Sequence, residues 1–146
     1  MRLLFLDIDG VLNSYRTDIV LGEDRAIENL DEIAIGLVAD VVETTGCIIC
    51  LSSDWRLSHD YMELGKKLGL PILFETGHKE LPTRGEEIQE IIDAVAPDVY
   101  AILDDVSLPR QKPLESQKDN FVHVKTADGM GYQDYLNCVS ILSNQE

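Results

Sequence analysis

Six residues leave three apolar runs of this chain with side chains that a core would not select: Asp7 and Asp9 after LLFL, Ser52 and Ser53 after CIICL, and Asp104 and Asp105 after AIL. Carboxylates brought to one edge repel each other by about 1–4 kcal/mol per close pair at water-like to surface-like dielectric. Something cationic must therefore sit among Asp7, Asp9, Asp104 and Asp105. Carboxylate oxygens with no His or Cys at the same strand ends are hard ligands, which favours Mg²⁺ over zinc or copper. Of two carboxylates side by side, one has its pKa raised, so one member of a pair can hold a proton while the other stays a nucleophile.

These residues need elements that carry them to one edge, and the chain alternates strand and helix in the required way. RLLFLDI reads as a first strand, followed by a helix over about 28–45 with Leu30, Ile33, Leu37 and Val41 as its stripe and Gly46 as its stop. CIICL is a second strand; Ser58 is placed as N-cap of a helix running to Leu68, with Tyr61, Leu64 and Leu68 on one face. PILFE (71–75), a helix from Gly85 to Val95, VYAIL (99–103), FVHV (121–124) and a helix over 132–142 complete the series. Apolar strands alternating with helices predict an α/β fold, a doubly wound, Rossmann-like five-stranded parallel sheet covered on both faces. Such sheets bind ligands at the carboxyl ends of their strands.

The 146 residues carry 12 Lys+Arg against 27 Asp+Glu, a net charge of −15, with 45% hydrophobic residues. That length and apolar content fit one domain, 1–146, able to bury a core. No apolar run is long enough for a bilayer span, no signal-peptide pattern follows Met1, and the acidity disfavours non-specific binding to phosphate backbones or anionic membranes. Three cysteines cannot all pair, which fits a reducing, cytoplasmic setting. Cys47 and Cys50 lie three apart on a strand, so they point to opposite faces and read as core residues, not as a zinc or redox pair.

DIDGVL at 7–12, directly after an apolar strand, resembles the first motif of the haloacid-dehalogenase-like (HAD) phosphohydrolases, D-x-D-G-[TV]-L. CIICLSS resembles their second motif, with Ser52 in the Ser/Thr position, and AILDD their acidic pair after the fourth strand. The third motif is a basic residue, usually Lys. Here the best match is Arg84 in LPTRGEEI, with Lys79 second. DIDGVLN, LSSDWR and LDD together look most like the HAD domain of Swiss-army-knife RNA-repair proteins. The resemblance implies a phosphatase in which Asp7 is the nucleophile that forms an aspartyl phosphate and Asp9 protonates the leaving oxygen. Mg²⁺ would be held by Asp7, the Asp9 carbonyl and Asp104 or Asp105. Ser52, Ser53 and nearby backbone N–H groups would face the phosphate, and Arg84 would complete the cradle. Gly10 is expected to supply backbone freedom after the nucleophile.

Around this set, Arg56 is expected to contact substrate or to pair with a nearby acid, and Trp55 to pack. His59, His78 and His123 have no metal-ligand spacing, and the acidic stretch Glu23–Glu43 reads as the solvated face of one helix. Residues 106–125 carry Arg110, Lys112, Lys118 and Lys125 against Glu115 and Asp119, a local +2 that could steer an anion or be an ordinary solvated loop. Some 15 residues separate Asn13 from the first helix, and about ten lie between the third strand and the next helix. Neither gap holds a cap domain, so an open site taking a nucleotide or the phosphorylated end of a polynucleotide is expected. The rival readings are a HAD-like binding module without turnover and, more remotely, a receiver-type signalling domain using Lys125; a receiver would need its acceptor Asp on the third strand.

Overall fold

The computed structural model describes residues 1–77, 83–105 and 114–143. Strands β1 (Arg2–Leu6), β2 (Ile48–Leu51), β3 (Ile72–Glu75), β4 (Val99–Asp104) and β5 (Phe121–His123) form one parallel sheet in the order β3-β2-β1-β4-β5. The helices are α1 (Tyr15–Leu21), α2 (Glu32–Thr45), α3 (Tyr61–Leu68), α4 (Arg84–Val95) and α5 (Tyr132–Ser143). Alternate residues of β1 face opposite layers. Leu4 and Leu6 join Ala34, Val38, Val41, Cys138 and Leu142 from α2 and α5, while Leu3 and Phe5 join Ile88 of α4. Cys47 falls in the first cluster and Cys50 in the second, so the two thiols lie on opposite faces as the strand period requires. No helix among the described residues is long and apolar enough to cross a membrane.

Chain order reverses across β1, with β2 and β3 on one side and β4 and β5 on the other. The crevice between the carboxyl ends of β1 and β4 is thus the switch point of the sheet. Ladder bonds run past the strand ends and fix the residues that leave them. The Asp7 N–H donates to the Leu103 carbonyl at 3.0 Å and the Ser52 N–H to the Leu6 carbonyl at 2.8 Å. Both side chains are therefore held at the same edge by main-chain bonds on neighbouring strands.

Several local expectations are corrected. A helix, α1, starts directly after Asn13 instead of some 15 residues later; Ser14 caps it, exchanging bonds with Thr17. None of its residues is buried, so no apolar stripe marks it. The acidic stretch Glu23–Glu43 is consequently not one helix: it crosses a loop, a 3₁₀ turn at Ile27–Asn29 and then α2. In α2 the inward stripe is Ala34, Val38, Val41 and Thr45, while Ile33, in the first turn beside its Asp31 cap, is 76% exposed. Ser58 does not cap α3. Ser53 instead caps a 3₁₀ turn, Asp54–Leu57, that Ser58 closes, and α3 begins after Asp60.

Candidate active site

Asp7, Asp104 and Asp105 each bring a carboxylate oxygen to a point where all three lie within 4.8 Å of one another. Asp7 and Asp104 are buried, and Asp105 is steadied by Thr126, whose hydroxyl donates to its Oδ2 at 2.8 Å. Gly10 makes this convergence possible in two ways. Its φ of +82° is one that side chains disfavour, and a Cβ there would stand 2.1 Å from Asp105 Oδ2. Burial, and then Asp104, push the Asp7 carboxyl well above the usual carboxylate range; Arg84 pulls the other way without reversing the shift, and Asp105 adds to it. Asp104 and Asp105 thus oppose the ionisation of Asp7. An all-oxygen donor set of clustered carboxylates fits a hard divalent cation such as Mg²⁺.

Arg84 opens α4 and is buried among acids. Its Nη1 donates to Asp104 Oδ2 at 3.2 Å and to the Ser52 carbonyl, and stands 3.7 Å from Asp7 Oδ1. Nη2 lies 3.8 Å from Asp54 and Nε 3.6 Å from Glu87. Burial pulls the guanidinium pKa down, but Asp7, Asp104, Asp54 and Glu87 together outweigh it and hold it above its ordinary value. Lys79, the other basic candidate, lies outside the described residues, as does His78.

Ser52 Oγ is buried with no hydrogen-bond partner among the described residues. Ser53 Oγ instead accepts from the Trp55 N–H at 3.2 Å. Arg56, foreseen as a contact to substrate or to an acid, is 8% exposed and turned into the protein. It donates to the Ser53 carbonyl at 2.9 Å, the Gly77 carbonyl at 3.2 Å and Glu87 Oε2 at 3.0 Å. Glu87 therefore ties Arg56 to Arg84. Of the basic group at 106–125, Arg110 and Lys112 lie outside the described residues, and Lys118 pairs with Glu115 at 2.8 Å.

The Asp9 carboxylate stands outside the trio and faces a cavity of about 300 Å³ lined by Gly10, Asn13, Tyr15, Arg25 and Asp105. Its Oδ1 accepts from Trp55 Nε1 at 2.9 Å and Asn13 Nδ2 at 3.0 Å, and its Oδ2 from Arg25 Nε at 3.1 Å. Asn13, Arg25, Thr126 and Glu87 join this site unforeseen from the sequence, and Trp55, expected only to pack, bonds to Asp9 as well. Asn13 and Trp55 did carry a signal, since each lies within a few residues of a motif, in DIDGVLN and LSSDWR. Arg25 and Thr126 carried none, because they reach the edge from loops whose path no periodicity fixes.

A family model for the HAD domain in Swiss Army Knife RNA repair proteins matches residues 3–135, a span that includes β2 to β5, all of β1 but Arg2, and every residue of the site. No curated protein and no solved structure matches the chain. With the acidic edge and the basic residue at the head of α4 inside that span, on a 3-2-1-4-5 sheet, the chain belongs to the family of HAD domains found in Swiss Army Knife RNA repair proteins.

Proposed function

We propose that this chain is a Mg²⁺-dependent phosphohydrolase that cleaves phosphate monoesters through an aspartyl phosphate on Asp7. The observation that carries this reading is the division of labour at one edge. Asp7 is buried beside Asp104 and Arg84, with the half-buried Asp105 completing the trio, whereas the Asp9 carboxylate, two residues on, lies outside that trio on a cavity that Asp105 also lines. In the first step an Asp7 oxygen bonds to phosphorus while the ester P–O bond breaks, and the leaving oxygen takes its proton from Asp9. In the second, water attacks the phosphorus of the aspartyl phosphate, Asp9 takes the water's proton, and Asp7 leaves as a carboxylate with inorganic phosphate as product. Mg²⁺ bound by Asp7, Asp104 and Asp105 would neutralise charge on the transferring phosphoryl group. Ser52 Oγ would donate to a phosphoryl oxygen, and Arg84, beside Asp7 and Asp104, would add positive charge.

The substrate we infer is a nucleotide or the phosphorylated end of a polynucleotide. Between β1 and α2 lie only α1 and a 3₁₀ turn, and no cap domain stands among the described residues. A net charge of −15 opposes tracking along a phosphate backbone but leaves a terminal phosphate accessible to the cation site. In a reducing, cytoplasmic setting the three free, buried cysteines would stay thiols.

Purified protein should hydrolyse 4-nitrophenyl phosphate with Mg²⁺, lose that activity in EDTA and regain it when Mg²⁺ is restored. Equal rates with and without metal would sink the mechanism. A screen of mononucleotides, 3′- and 5′-phosphorylated oligonucleotides and sugar phosphates should then show its highest kcat/KM among the nucleotide substrates, and a clear preference for sugar phosphates would remove the substrate assignment.

A further inference from the structure

Trp55 is the sole tryptophan of the chain, fully buried, and its indole N–H donates to a carboxylate 46 positions away, that of Asp9. We propose that Trp55 is a positioning residue for Asp9, fixing the carboxyl that exchanges a proton with the leaving oxygen. The proposal rests on the phosphohydrolase reading above and adds to it a residue with no chemical role of its own.

A buried indole N–H must find an acceptor, and any carbonyl would satisfy it. Here the acceptor is a side chain with two free torsions, so the bond restricts Asp9 more than it restricts the indole. Trp55 is itself held from several sides. Its N–H is bonded to Ser53 Oγ at 3.2 Å, its carbonyl accepts from the Ser58 and His59 N–H groups at 3.1 and 2.9 Å, and the His59 ring stacks on the indole with centroids 4.6 Å apart. Asn13 makes the second bond to Oδ1 and is tied down in turn, its own Oδ1 accepting from the Gly10 N–H at 2.7 Å.

The two oxygens of Asp9 are therefore unlike. Oδ1 is pinned by Trp55 and Asn13, both anchored, whereas Oδ2 is met by Arg25, a long side chain 45% exposed at the cavity. Oδ2 is thus the oxygen open to the leaving group, which takes the place that Arg25 fills here. The turn Asp54–Leu57, capped by Ser53, begins two residues after Ser52, so one short segment sets both the phosphate end of the site and, through Asp9, its leaving-group end.

The role predicts a dependence on leaving group that a purely structural tryptophan would not give. An aryl phosphate leaves with little protonation, whereas an alkyl phosphate needs the acid in place. kcat/KM reports the steps up to departure of the leaving group, so it is compared for 4-nitrophenyl phosphate and β-glycerophosphate at saturating Mg²⁺. Trp55→Phe should lose about tenfold or more on the alkyl ester and less than about threefold on the aryl ester, a fraction of what a full general acid contributes. Should Trp55→Phe fail to fold, β-3-benzothienylalanine at position 55 keeps the ring shape, removes only the N–H and should give the same split. Equal losses on both esters, or no loss on either, would overturn the positioning role while wild-type turnover leaves the phosphohydrolase reading standing. Absence of Mg²⁺-dependent turnover in the wild type would fail that reading itself, and the positioning role with it.

Discussion

Asp7→Asn should abolish turnover on every phosphate ester, a fall of about 10⁴- to 10⁶-fold, the scale on which loss of a nucleophile is felt. An amide at that position keeps the size and the Ile8 N–H contact to Oδ1 (2.9 Å in the wild type) but cannot form the acyl phosphate. Rapid quench with a ³²P-labelled ester should trap phosphoenzyme in the wild type and none in the variant. Asp9→Asn provides the contrast. It should keep part of the kcat/KM for aryl phosphates and little of that for alkyl phosphates, because in the step that forms the aspartyl phosphate only the latter depend on a proton donor. Near-normal activity of Asp7→Asn on any substrate would show that the covalent route is wrong.

The same substitution should act on stability in the opposite direction once metal is removed. The unfolded chain ionises Asp7 near the ordinary value of 3.8, whereas in the folded chain burial and the Asp104 and Asp105 carboxylates keep the proton on to higher pH. Below 3.8 both states are protonated and Asp7 contributes no slope. Between 3.8 and the raised folded value the unfolded state binds fewer protons than the native one, so stability falls as pH rises through that window and levels off above it. Asparagine does not titrate. In EDTA, Asp7→Asn should therefore unfold at higher denaturant than the wild type, by a margin that opens above about pH 4, whereas saturating Mg²⁺, which binds the ionised trio, should stabilise the wild type more than the variant.

What could be seen in the sequence was whatever has a short period or a fixed neighbour. Apolar runs fix strands, strands fix a sheet edge, and the residues that leave the runs fall on it; Asp7, Ser52, Asp104 and Asp105 were legible for that reason. Arg84 was legible only through family likeness, since a basic residue at a helix start has no signature of its own. Of the expected stripe Leu30 and Val41 are buried and Leu37 packs against the core, but Ile33 is exposed; it is as apolar as its neighbours, and only the packing shows that Ala34 faces inward in its place. Helix α1 escaped because its apolar residues Ile19, Val20 and Leu21 are consecutive and face out, so its capping box was the only local sign. Arg56 was ambiguous until Glu87 was seen beside it at 3.0 Å, a contact between residues 31 apart that no periodicity encodes.

Arg84→Met should have the largest effect on stability. The substitution keeps roughly the same volume and removes one cation from among Asp7, Asp104, Glu87 and Asp54, of which the first three are nine-tenths or more buried. Breaking a buried ion pair from one side costs about 3–5 kcal/mol, because the partner left behind keeps its desolvation penalty. The contact to Asp54 adds little to that figure, since its side chain is 50% exposed and water screens it. Glu87 still has Arg56, and the Ser52 carbonyl loses the Arg84 donor. Mg²⁺ should recover part of the loss, because a cation at the trio faces Asp7 and Asp104 but not Glu87. Arg84→Lys should fall between wild type and Arg84→Met, since an ammonium keeps the charge but cannot span Ser52, Asp104 and Glu87 at once. Denaturant unfolding of the three proteins in EDTA and in Mg²⁺ gives the comparison. An Arg84→Met variant within about 1 kcal/mol of wild type in EDTA, well short of the cost of orphaning buried charge, would mean that the carboxylates around Arg84 are already neutral without metal, and the place of Arg84 as the counter-charge of the edge would have to be given up.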